Sequence, residues 1–215
     1  GQVNTTAGFS IVTFTGGAAG YTVAHGLSQA PEIVFTFNRT DSSGANYVFT
    51  TAVDGTIDYI SLDATTAKNK DPFSMQAFTS TVFSLDNDYG MDAGDNCVAY
   101  CFHSVDGYSK IGTYEGNGNN DGTFVYTGFR PAFLLVKSVD STSDWLLVDD
   151  KRIGYNPENE YIEVNNANAE GTVNMFDLVS NGFKNRDRTA DPNVAETYLY
   201  IAFASQPFQF ANARL

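Results

Sequence analysis

Apolar and polar residues alternate along most of this chain in short runs of about four to eight, the period of a strand with one face buried. The runs include FSIVTFT from Phe9, EIVFTF from Glu32, YVFTTAV from Tyr47, IDYISL from Ile57 and NCVAYCF from Asn96. AFLLVK from Ala132, DWLLVDD from Asp144, EYIEVNN from Glu160 and TYLYIAF from Thr197 continue the series. Helical periodicity is weak throughout. Its best candidate, VAETYLYIAF, is aromatic and β-branched and reads as a strand.

The pattern occurs twice. GFSIVTFT from Gly8 returns as GYSKIGTY from Gly107, matching Phe9 to Tyr108, and HGLSQAPEIVFTF from His25 returns as TGFRPAFLLVK from Thr127, matching Pro31 to Pro131. NCVAYCFHS from Asn96 returns as TYLYIAFAS from Thr197, matching Phe102 to Phe203. Three blocks in one order at a spacing of about 100 residues predict a duplication. The boundaries drawn from it are an N-terminal extension at 1–7, a first repeat at 8–106 and a second at 107–215, joined without a flexible linker. The expected fold is all-β: an internally duplicated antiparallel β-sandwich with pseudo-two-fold symmetry, either jelly-roll-like or as paired sandwiches.

Composition narrows the partners. The chain has 215 residues, 42% hydrophobic and 17% charged, too apolar for disorder. A net charge of −13 opposes nucleic-acid backbones. The absence of a long apolar run argues against membrane insertion. Gly1 leaves a processed terminus and an internal fragment equally open. Cys97 and Cys101 fall on one face of a strand, roughly 13 Å apart, too far for a disulfide.

The blocks GFSIVTFTG, VAYCFHSVDGYSKIGTYEGNG, FVYTGFRPAFLLVK and YIAFASQPFQFANAR carry a resemblance. Together they resemble a repeated β-rich domain found toward the C-termini of large virion-associated proteins of marine tailed phages, over about Gly8 to Arg214. The resemblance implies a structural or host-adhesion protein of a virus particle, made in the host cytoplasm and carried in the virion. No ligand or catalytic residues transfer with it. The acidic stretch Asp86 to Asp95 departs from that domain, which is usually rich in Ser, Thr, Asn and Gly there.

Candidate chemistry is sparse. No nucleophile elbow, Walker, Rossmann or EF-hand pattern appears. Asp149 and Asp150 are adjacent on a strand and should point to opposite faces, which does not suit a glycosidase pair. The loop LDNDYGMDAGDN offers Asp86, Asp88, Asp92 and Asp95 as oxygen ligands, so calcium is the one ion expected and no other cofactor is. A saccharide site would need an exposed aromatic platform beside amides or carboxylates; Trp145, Tyr155, Asn156 and Tyr161 are its candidates. Phe208 and Phe210 near the C-terminus form an apolar strip suited to assembly.

The expectation is therefore a non-enzymatic structural component of a phage particle, a tail-associated or fibre adhesin or a capsid decoration, mediating assembly or host attachment. Its partners would be other virion proteins, copies of itself in a homo-oligomer and a host-surface glycan. The alternative is a carbohydrate-binding module.

Overall fold

The computed structural model describes residues 1–18, 20–41, 46–70, 78–85, 91–186 and 192–206. The expected Phe208 and Phe210 strip lies outside them. All regular structure among the described residues is antiparallel β, and none of them forms a helix long and apolar enough to cross a membrane. The chain divides into two compact units, Gly1–Asp63 with Lys68–His103, and Ala64–Ala67 with Ser104–Leu215.

The first unit contains β1 (Gln2–Asn4), β2 (Phe9–Thr15), β3 (Tyr21–Ala24), β4 (Ile33–Asn38), β5 (Tyr47–Thr50), β6 (Asp58–Ser61), β7 (Asn69–Lys70), β8 (Val82–Leu85) and β9 (Asn96–Phe102). One sheet runs β1-β2-β9-β4-β5-β6-β7, and β3 pairs with β8 in a second layer. The second unit contains β10 (Ser109–Glu115), β11 (Phe124–Tyr126), β12 (Pro131–Ser138), β13 (Leu146–Asp149), β14 (Glu158–Glu163), β15 (Gly171–Val179), β16 (Gly182–Asn185) and β17 (Thr197–Ala204). Its sheet runs β10-β17-β12-β13-β14-β15-β16-β11.

The two orders correspond: β2-β9-β4-β5-β6 repeats as β10-β17-β12-β13-β14, and the β3–β8 pair repeats as β11–β16. The duplication is thus one of strand pairing as well as sequence. The register corrects one match by a residue. Phe9 stands opposite Phe102 and Ser109 opposite Phe203, so Phe9 is equivalent to Ser109 rather than Tyr108. The physical reason lies in the preceding turn. Asn4 pairs with Phe9 across four turn residues, whereas Val105 bridges Ser109 across three.

This register aligns Gly16 with Gly116. A side chain at either would overlap the backbone carbonyl of Asp92 or Val194, on the segment leading into the last strand of its unit. Each amide donates to that same segment, Gly16 N–H to Asp95 O at 2.8 Å and Gly116 N–H to Glu196 O at 2.9 Å. Glycine is required here for close backbone approach, not for a left-handed conformation.

Each core is filled by strand alternation from two layers. In the first unit Val34, Phe49, Cys97, Ala99 and Cys101 of the large sheet meet Val23, Phe83 and Leu85 of the β3–β8 pair. In the second, Leu134, Val136, Val148, Tyr198 and Tyr200 meet Val125, Phe176, Leu178 and Phe183, with the Phe176 and Phe183 rings edge to face at 5.6 Å. Strand β14 joins the layers, pairing with β13 through Ile162 and Glu163 and with β15 through its earlier residues. Cys97 and Cys101 are unbridged and buried, as their spacing requires, and burial pushes their thiols up to about 11 and about 12.

Two buried polar groups brace these cores. Lys137 is 1% exposed, and its ammonium donates to Ser138 O at 2.7 Å and Ser143 Oγ at 3.1 Å, so the tip of its side chain holds the turn after β12 as a tethered cation. Glu196 binds the same turn from outside, accepting from Ser138 Oγ and Ser141 Oγ at 2.7 and 2.6 Å. In the first unit both histidines are buried. His25 Nδ1 accepts from Leu27 N–H at 3.1 Å while Nε2 donates to Thr79 O at 3.0 Å. That pairing needs the neutral ring, since a proton on Nδ1 would face another N–H. Burial, reinforced by His103 and opposed by the Thr79 carbonyl, holds the His25 pKa below its usual value.

Lys137→Met is expected to destabilise the chain by about 2–4 kcal/mol, because it strands buried acceptors; a urea titration measures it. The His25 contribution is complete above the unfolded pKa, about 6.5, and is lost as pH falls through the lower folded value. Stability should therefore drop between pH 7 and pH 5 at up to about 1.4 kcal/mol per pH unit. In His25→Gln that slope should flatten, which melting curves across the window test.

Candidate functional site

The predicted site residues separate once the fold is in place. Trp145 is fully buried ahead of β13, its backbone N–H donating to Asn165 Oδ1 at 2.7 Å. Its assignment to a ligand platform is corrected, because the largest apolar side chain of the unit is used to fill it. Tyr161 is half-buried against the second core, its ring lying over Gly171 where a side chain would collide. It is a packing residue, not a platform. Burial first, then the Glu163 and Asp144 carboxylates, raise its pKa.

Tyr155 is 66% exposed, and Asn156 lines a polar groove with Pro157, Asn174, Asp177 and Arg186. The Asn156 side chain both donates to Leu178 O and accepts from Leu178 N–H, at 3.0 and 2.8 Å, and so fixes the groove wall.

Of the expected calcium ligands, Asp86 and Asp88 lie outside the described residues. Asp95 Oδ2 accepts from Asn38 Nδ2 at 2.6 Å and from Asp92 N–H at 3.2 Å, which spends that oxygen on closing its own loop. Asp149 and Asp150 take different partners. Burial works against the Asp149 charge, but the Lys151 and Arg152 amides and the Arg152 guanidinium outweigh it and hold its carboxyl below the usual range. Asp150 accepts from Arg130 at 2.9 Å.

The better-formed hollow was not among the sequence candidates. It is a cleft of about 250 Å³ in the second unit, lined by Asp106, Gly107, Ser109, Lys110, Tyr126, Thr127 and Gly128. One wall is the turn into β10, where Gly107 adopts φ 72° and Val105 N–H donates to Ser109 O at 3.1 Å, presenting Asp106 and Lys110 outward. The other is the end of β11. Thr127 N–H and Gly128 N–H both donate to Asn181 O, at 3.0 and 3.2 Å, and the Thr127 hydroxyl donates to Phe129 O at 2.6 Å. The Tyr126 ring stands beside Gly128 and is 67% exposed.

An aromatic ring, a carboxylate, an ammonium and a backbone turn thus share one small hollow. Such a set stacks on an apolar ring face while donating to and accepting from its hydroxyls. The volume falls below the about 300–1,000 Å³ typical of drug-sized sites, so the cleft suits one small ring.

The duplication supplies an internal comparison. The corresponding glycine of the first unit, Gly26, is covered by Val3 of β1, whose Cγ2 lies 2.8 Å from where a Cβ would stand. Pairing places Ala24 where β11 has Tyr126, and Ser10 where β10 has Lys110. One copy of the position is small and filled, and the other is aromatic, charged and open. The signal that finds the site is therefore the difference between repeats at structurally matched positions, which an alignment shifted by one residue conceals.

Comparison with curated proteins yields no match, and comparison with solved structures yields none either. Residues 2–207 match a family described as a domain of unknown function, DUF7483, and the chain belongs to that family.

Proposed function

We propose that this chain is a non-enzymatic β-structural module of a phage particle, a tail-associated adhesin or capsid decoration, that attaches to a host-surface saccharide through the cleft at Gly128. The observation that carries the attachment reading is the exposed Tyr126 ring beside Asp106, Lys110 and the Thr127–Gly128 backbone. The virion reading is supported by the resemblance of the ordered blocks to virion-associated repeats. A duplicated scaffold with buried cores suits a particle exposed to shear, and a charge of −13 keeps many copies apart before assembly.

The commitment of the histidines also favours binding over catalysis. His25 is buried and engaged through both ring nitrogens, and Gln29 Nε2 donates to His103 Nδ1 at 2.7 Å. The carbohydrate-binding module is the second reading, favoured by the same cleft and distinguished by where the chain is found.

On a glycan array the purified chain should bind a subset of saccharides saturably, and Tyr126→Ala should weaken that binding about tenfold with an unchanged melting temperature. Uniformly non-saturable signals would remove the attachment reading. Antibody labelling of intact particles should decorate them at regular positions; unlabelled particles would leave only the module.

A further inference from the structure

Three large exposed aromatic residues of the second unit, Phe124, Tyr126 and Tyr155, belong to or adjoin one layer, β11–β16–β15–β14. Strand pairing shows how its outer face is composed. Phe124 stands opposite Lys184, and Lys184 opposite Asp177, so these side chains point the same way, with Tyr126 two residues along from Phe124.

The cleft at Gly128 lies at one end of this face. At the other, Asn156, Pro157, Asn174, Asp177 and Arg186 surround a groove of about 470 Å³, and Tyr155 stands exposed next to Asn156. Tyr126 pairs with Gly182, Gly182 pairs with Val179, and Asn156 is bonded to the neighbouring Leu178, so Tyr126 and Tyr155 lie across the strands of the layer from each other, roughly 14 Å apart at three strand spacings. That span exceeds a single sugar ring.

The charges on the face come in matched pairs. Lys184 Nζ meets Asp121 at 2.8 Å, and Arg186 is paired with Asp177. The Lys184 contact holds the Asp121 carboxyl below the usual range. With Lys184 and Arg186 already neutralised, on a chain of charge −13, this face gains little from a polyanion. It still offers donors and acceptors side by side between aromatic rings, the chemistry that hydroxyl-rich rings satisfy.

We propose that the outer face of this layer binds a linear, uncharged glycan across both hollows, with Tyr126 and Tyr155 as ring platforms at its two ends. The proposal rests on the saccharide-attachment reading and deepens it, from a single terminal sugar to an extended chain. Asn156 acts as a positioning residue, since its amide is committed to Leu178, while Asn174, Asp177 and Arg186 line the second hollow.

Isothermal titration of the full chain with glucose, galactose and their neutral linear oligomers of increasing length tests this. Affinity is expected to rise about tenfold or more with length, as a second contact joins the first. Tyr155→Ala should abolish the gain from length, whereas Tyr126→Ala should weaken binding of the single sugars and of the oligomers alike. Both side chains are exposed, and unchanged melting curves confirm intact folding. Length-independent affinity, or a Tyr155→Ala variant that binds the longest oligomer normally, overturns the extended site while leaving the cleft standing. Tighter binding of polygalacturonate than of the neutral oligomers overturns the uncharged assignment. Absence of binding to every sugar in the series removes both readings together.

Discussion

The closing strand of each unit is the constraint on which the remaining structure depends. β9 enters between β2 and β4, and β17 between β10 and β12, so the last strand of each unit in sequence is inserted between two earlier ones. Its neighbours are already distant in sequence, and ordering such non-local pairs precedes the hydrogen bonds that reward it. The glycines Gly16 and Gly116 admit the segment leading into that strand, because any side chain there would meet its carbonyl oxygen. Only with this strand in place do the two layers enclose their cores.

Around the shared frame the copies have diverged in volume and in polarity. The inward positions of β9 are Cys97, Ala99 and Cys101, while those of β17 are Tyr198, Tyr200 and Ala202. Large side chains enter the first core from elsewhere, as Phe49, Phe83 and Met91. Close packing allows such redistribution so long as total volume is conserved. The same freedom acts at the surface. With the backbone held by pairing, the position that Val3 fills over Gly26 opens over Gly128, where Tyr126 and Lys110 replace smaller residues.

The proposed recognition sites therefore lie at the ends and the outer face of one layer, not within the core. Thr127 and Gly128 are tied to Asn181, and Asn156 is tied to Leu178, so both hollows are shaped by bonds made before any ligand arrives. Preorganisation of this kind lowers the ordering cost of binding.

Much of the architecture was legible in local pattern. Alternation in FSIVTFT, NCVAYCF and TYLYIAF follows from the two-residue period of a strand, and the repeated order of blocks implied repeated pairing. The spacing of Cys97 and Cys101 by itself excluded a disulfide. Burial and register were not legible. Trp145 and Tyr155 are both aromatics beside polar residues in the sequence, yet one is fully buried and the other stands in solvent, because exposure depends on what the tertiary fold packs against a position. The cleft joins residues from the start of β10 to the end of β11, and a one-residue difference in turn length hid their counterparts in the first repeat. Local chemistry determined the strands, the glycine and proline positions and the duplication; the meeting of Asp106, Lys110 and Tyr126 was decided only by tertiary folding, since no local pattern encodes proximity across a sheet.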